Sequence, residues 1–207
     1  MFQKGGPDPN LVLLVRTSVG RSTFRGLRTK KRGPAAVFRE WAYERLGEPN
    51  TIEELRAIKS HKEYDQWLQN LSNDFRSHWK VNAELKIAFG PGRKLPDLLM
   101  KKVVWWDGFG AAERKRLIGF LHVPLDSFSL IAVRRCVAET EVCQNVEVPK
   151  NAAMGWVESE RVYNALQQAM RELANRAGVP PIYIDVLAWN VAHKAVERGA
   201  AADEPRN

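Results

Sequence analysis

Residues 88–99 read AFGPGRKLPDLL. Two glycines and a proline stand directly before Arg93 and Lys94, and an apolar run resumes at Leu95. One reading is a loop between two helices. The other is a backbone clamp on a phosphate. Glycine lets the main chain approach an anion closely and adopt positive φ. A helix that follows points its unpaired N–H groups, and the positive end of its dipole, at that anion. Gly90, Gly92 and Arg93 are therefore candidate phosphate contacts, and Lys94 is aimed at something beyond them. The wider stretch reads as a helix, a glycine hairpin and a second helix. Pro96 is expected in the first turn of that second helix, where proline is tolerated.

Working outward, the pattern is helical almost everywhere. AAVFREWAYERLG carries Val37, Phe38, Trp41, Ala42 and Leu46 at the spacing of one helix face, with Gly47 placed to end it. TIEELRAI opens with Thr51 and has Glu54 three residues on, the pattern of a capping box. Tyr64, Trp67, Leu68, Leu71 and Phe75 repeat at helical spacing, and a helix is expected to begin near Asp126. WVESERVYNALQQAMRELANRAGVPP reads as a long amphipathic helix closed by Gly178 and two prolines, and PIYIDVLAWNVAHKAVERG as the last helix. Strand-like alternation is nearly absent. The expectation is an all-α, two-lobed helical bundle with a helix–hairpin–helix motif. Its parts are a basic N-terminal arm (1–34), a helical domain (35–200) and a disordered tail (201–207).

The 207 residues carry a formal charge of +8, which favours a polyanionic partner. From Arg16 to Arg32 the charged residues are all basic: Arg16, Arg21, Arg25, Arg28, Lys30, Lys31 and Arg32. Serines, threonines and glycines lie between them, a mixture suited to phosphate contact; the plainer alternative is a solvated arm. No apolar run approaches the roughly 18 residues of a membrane span. MFQKGGPDPN lacks the layout of a secretory signal. A soluble, cytoplasmic, monomeric protein without membrane contact is expected. Cys136 and Cys143 are too few for a disulfide scaffold or a four-cysteine cluster, and His61, His78, His122 and His193 are scattered. No metal and no cofactor is expected.

Downstream of the glycines stands VPLDSFSLIAVRRC, with Asp126 near a helix start. A G-x-G-x-K stretch followed by V-P-x-D and a helix resembles the helix–hairpin–helix DNA glycosylase superfamily. The resemblance implies that the hairpin grips the DNA backbone and that Lys94 is the residue that attacks the sugar in members with lyase activity. It also implies that Asp126 is the essential acid. The two lie 32 positions apart, a wide gap similar to that of the archaeal 8-oxoguanine glycosylase branch. VPPIYIDVLAWNVAH also resembles that branch, and implies that Asp185 and Trp189 contact the extruded base. The likeness spans about residues 80–195; Pro91 stands where a small aliphatic residue is usual, and residues 1–35 have no counterpart.

An amine attacks only when neutral, and an unperturbed lysine is neutral in roughly one molecule in two thousand at pH 7. The lyase reading therefore calls for burial or neighbouring positive charge at Lys94. Each residue also has a plainer role: Lys94 as a phosphate contact, Asp126 or Asp185 as a helix cap, Trp189 as core. Trp105 and Trp106 are read as core, and Trp67 as an aromatic for the base. The implied partner is double-stranded DNA with a modified base. Two substrate classes stand equally: an oxidised purine such as 8-oxoguanine, or a hypermodified phage base such as glucosylated hydroxymethylcytosine, the latter an anti-phage role. The alternative is a non-enzymatic nucleic-acid-binding module.

Overall fold

Proline, glycine and serine mark out the helices. In the computed structural model residues 8–139 and 147–191 are described, and every regular element among them is helical. Asp8 starts α1 (Pro9–Ser18), its carboxylate accepting from the Asn10 N–H at 2.8 Å. A short α2 (Arg21–Phe24) follows, then α3 (Pro34–Gly47) and α4 (Pro49–Ala57). Proline stands in the first turn of α1, α3 and α4, where its missing N–H costs no hydrogen bond. Ser60 caps α5 (His61–Asn82) by accepting from Glu63 N–H, while the Glu63 carboxylate accepts from Lys59 N–H at 2.7 Å. Next come α6 (Phe89–Val103), α7 (Ala111–Phe120), α8 (Ser127–Glu139), a 3-10 turn at Met154–Trp156, and α9 (Glu160–Arg176). The last helix among the described residues, α10, covers 182–191. No described helix is long and apolar enough to cross a membrane.

The chain divides into two units, Met1–Leu121 and His122–Asn207. The expected boundary at residue 34 is not where the structure divides. Residues 8–34 do not form a free arm: α1 packs on α6 and α3, and Leu11, Val15, Val19 and Phe24 are buried. LVLLV supplies an apolar face that outweighs the basic residues around it. Those residues, Arg16, Arg21, Arg25, Arg28, Lys30, Lys31 and Arg32, remain exposed. The expected tail, 201–207, lies outside the described residues, as does Cys143.

The core of the first unit is aromatic. Phe38 and Trp41 of α3 meet Phe75 of α5, the Trp41 and Phe75 rings 4.6 Å apart, and Trp79 continues the stack. All four are buried. The Trp41 indole N–H donates to Asp74 Oδ2 at 2.7 Å, so the polar end of the ring is satisfied. Thr51 is not a cap: α4 begins two residues earlier, and the buried Thr51 hydroxyl donates instead to Arg45 O at 2.7 Å. Trp105 is not core either, being 56% exposed beneath the Arg114 guanidinium. Trp106 is half-buried, and its indole N–H donates to Asp8 Oδ2 at 2.9 Å. That bond is the main reason the Asp8 carboxyl sits below its ordinary pKa.

In the second unit, α8 packs on α9 through Leu130, Val133, Tyr163, Leu166 and Met170, all buried. Gly178 ends α9 at φ +65, with Val179 N–H donating to Ala174 O and Gly178 N–H to Asn175 O. These two bonds form a Schellman closure, and a Cβ at this φ is strained. Gly178→Ala is expected to destabilise the second unit by about 1 kcal/mol. Chemical denaturation checks this; an unchanged midpoint would mean the turn relaxes freely.

Candidate functional site

The glycines do not form the turn between helices. α5 ends at Asn82, residues 83–88 make the connection, and Gly90, Pro91, Gly92, Arg93 and Lys94 all lie in the first turns of α6. The one non-glycine residue with positive φ among the described residues is Glu84 (φ 54). The reason is local. Pro91 falls among the first four residues of α6, whose N–H groups have no partner within the helix, so it does not prevent the helix from starting at Phe89. Pro96 then lies inside the helix and not in its first turn, and forgoes the N–H bond to Gly92 O.

Gly92 has a steric role. A Cβ there would come within 2.8 Å of Arg76 Cγ and 2.9 Å of its Cδ. Without it, the Arg76 stem lies against α6 and its guanidinium stands over the Phe89 ring, 5.5 Å from the centroid.

Gly90 through Asp97 are buried without interruption. Arg93 is 3% exposed, so it is not the surface phosphate contact that the sequence suggests. Burial pushes the Tyr64 phenol well above its usual pKa, Asp97 and Asp65 push it further, and Arg93 pulls it back. Tyr64 and Asp65 of α5 and Arg93 and Asp97 of α6 thus feel one another's charge. Lys94 is buried as well, at 8% exposure. Trp67 donates through its indole N–H to Glu54 Oε2 at 2.9 Å and is partly buried, tied to α4.

In the second unit, Asp126 and Trp189 come together. Asp126 precedes α8. Its Oδ1 accepts from the N–H groups of Phe128 and Ser129, each at 3.0 Å. Its own N–H donates to Ser129 Oγ at 2.8 Å, closing a reciprocal cap. The second oxygen, Oδ2, accepts from Trp189 Nε1–H at 3.3 Å. Asp126 is therefore a cap and also more than a cap, since one oxygen is turned toward an aromatic on α10. Phe128 meets the Trp189 ring edge-on with centroids 5.0 Å apart, fixing the indole plane. Trp189 is 39% exposed, so it is not core; Asp185, one turn earlier, is 2% exposed and lies within α10 rather than capping it.

Two further residues position Asp126. Gln167 of α9 is buried, its side-chain Oε1 accepting from Val123 N–H at 2.9 Å and its Nε2 donating to Val123 O at 2.8 Å. This amide clamps the extended segment that carries Asp126 into α8. His122 Nδ1 shares a hydrogen bond of 2.8 Å with the Tyr163 hydroxyl one residue before. Among the described residues no group of three His, Cys, Asp or Glu is placed to hold a metal.

No protein family, curated protein or solved structure matches this chain.

Proposed function

We propose that this protein is a DNA glycosylase that extrudes a modified base from duplex DNA and cleaves its glycosidic bond. The observation that carries the reading is the Asp126–Trp189 pair: a buried carboxylate, oriented by three N–H donors, against a part-exposed indole. Extrusion costs a few kcal/mol of lost pairing and stacking. An indole face returns roughly 1–3 kcal/mol for a base stacked upon it. Bond cleavage leaves positive charge on the sugar, which a fixed carboxylate stabilises without reorganising. Lys94, buried near the start of α6, is the proposed nucleophile for a Schiff base with the sugar and strand cleavage. If Lys94 does not attack, water does, and an abasic site remains. The base is an oxidised purine or a hypermodified cytosine.

The test is base release by mass spectrometry. The protein is incubated with oxidised duplex DNA and, separately, with phage DNA carrying glucosylated cytosine. A free modified base from one of them is the expected result, and its identity selects repair or defence. Borohydride then reads the lysine chemistry: wild type is expected to trap covalently on DNA and Lys94→Gln to lose the trapped species. Tight binding with no release from either DNA would reduce the protein to a non-enzymatic binding module.

A further inference from the structure

Where α5 runs into the connection to α6, the first unit carries an open groove of about 410 Å³. It is lined by Asn73, Arg76, Ser77, Lys80, Lys86 and Ile87: three cations and no acid. Asn73, Arg76, Ser77 and Lys80 share one face of α5 through their three- and four-residue spacing. Lys80 and Lys86 are exposed, while Ile87 is buried as an apolar floor. Arg76 is held by the absent Cβ of Gly92 and by the Phe89 ring, so little side-chain freedom is left to lose when it meets an anion.

The groove does not stand alone. Lys30 N–H donates to Ala83 O at 3.0 Å, clipping the basic loop after α2 to the α5–α6 connection. Lys31 pairs with Glu84 at 2.5 Å in the same place. The pairing lowers the Glu84 carboxyl and raises the Lys31 amine. Lys31 spends its charge on that clip, whereas Arg28 and Lys30 stay exposed, Lys30 adding its charge to the field at Glu84.

The geometry points to a sequence-independent phosphate track, running from the loop at Arg28–Lys30 into the groove of Arg76, Lys80 and Lys86, that holds the backbone of duplex DNA. The occupant follows from the lining. A row of cations with a preset guanidinium suits successive phosphodiesters, which carry charge at regular intervals and present oxygens to a planar fork. The choice of DNA over another polyanion rests on the glycosylase reading; the track itself does not. It also gives the basic N-terminal segment, which the resemblance leaves without a counterpart, a place in binding.

The test measures affinity for an unmodified duplex at several salt concentrations, so that base release plays no part. Each phosphate contact contributes about 0.9 to the slope of log K against log salt. Lys80→Ala with Lys86→Ala is expected to reduce that slope by about 2, equally on duplexes of different sequence. Lys62→Ala with Lys115→Ala, a pair of exposed lysines elsewhere in the same unit, removes the same charge and is expected to leave the slope within experimental error. Gly92→Ala is expected to press on the Arg76 stem, displace its guanidinium and lower the slope by about 1. Equal losses for both lysine pairs would reduce the track to bulk charge and overturn it. So would an unchanged slope for the groove pair, or binding of pyrophosphate by the groove with no dependence of DNA binding on it. A glycosylase whose groove variants bind normally would lose the track alone. A normal groove result with no base release would lose the enzyme alone.

Discussion

Asp126→Asn is expected to bind modified duplex DNA with near wild-type affinity and to release its base at least about a hundredfold more slowly. Asparagine is as good an N-cap as aspartate, so the bonds from Phe128 and Ser129 N–H survive and α8 keeps its start. Only the negative charge goes, and with it the stabilisation of a cationic sugar. One side effect is foreseeable. With Oδ1 held by the backbone, the new amide nitrogen faces Trp189 Nε1–H, donor against donor, at what was 3.3 Å. The indole must shift, and Trp189→Phe separates that shift from the charge. It removes the donor, keeps an aromatic face against Phe128, and leaves Asp126 ionisable. Its release rate is expected to fall far less than that of Asp126→Asn. Equal losses in the two variants would assign the effect to ring position and not to the carboxylate. A fast Asp126→Asn would end the catalytic reading of this residue.

The helices were legible where the signal was local. The apolar face Val37–Leu46 with Gly47, the amphipathic run of α9 with Gly178 behind it, and the helix after Asp126 all depend on spacing and caps within a few residues. The sequence misled where two local rules competed. G-P-G reads as a turn, yet Pro91 lies where a missing N–H costs nothing, so α6 begins at Phe89 and the chain turns at 83–88 instead. Thr51 with Glu54 satisfied a capping pattern that Pro49 preempted from two residues upstream. LVLLV was visible as an apolar run, but nothing near it says that its partner is α6, some eighty residues on.

The candidate site divides in the same way. Asp126 and Trp189 could be singled out by resemblance, whereas their hydrogen bond across 63 positions could not be read from either residue. The D-x-x-S start of α8 did carry a local sign that Ser129 closes the cap. Arg93 looked like a surface cation because arginine usually is one; its burial depends on how α6 packs, which no neighbouring residue announces.

Gln167→Leu is expected to have the largest effect on stability of any single change near Asp126. The substitution nearly preserves volume, so the α8–α9 packing is not opened by a cavity. What it removes is both partners of the Val123 backbone, an acceptor at 2.9 Å and a donor at 2.8 Å, from a residue with no solvent exposure. Each buried group left unpaired costs about 1–3 kcal/mol, against a total stability of roughly 5–15 kcal/mol for a typical domain. The melting temperature is expected to fall by at least about 4 °C. Hydrogen exchange should show where: protection is lost over residues 122–130 and along α9, and kept in the aromatic core of α3 and α5. The clamp also holds the extended chain that delivers Asp126 to α8, so base release should fall even at temperatures where the variant stays folded. A melting temperature within about 1 °C of wild type, with 122–130 still protected, would mean that other contacts hold this segment and that Gln167 does not position the acid.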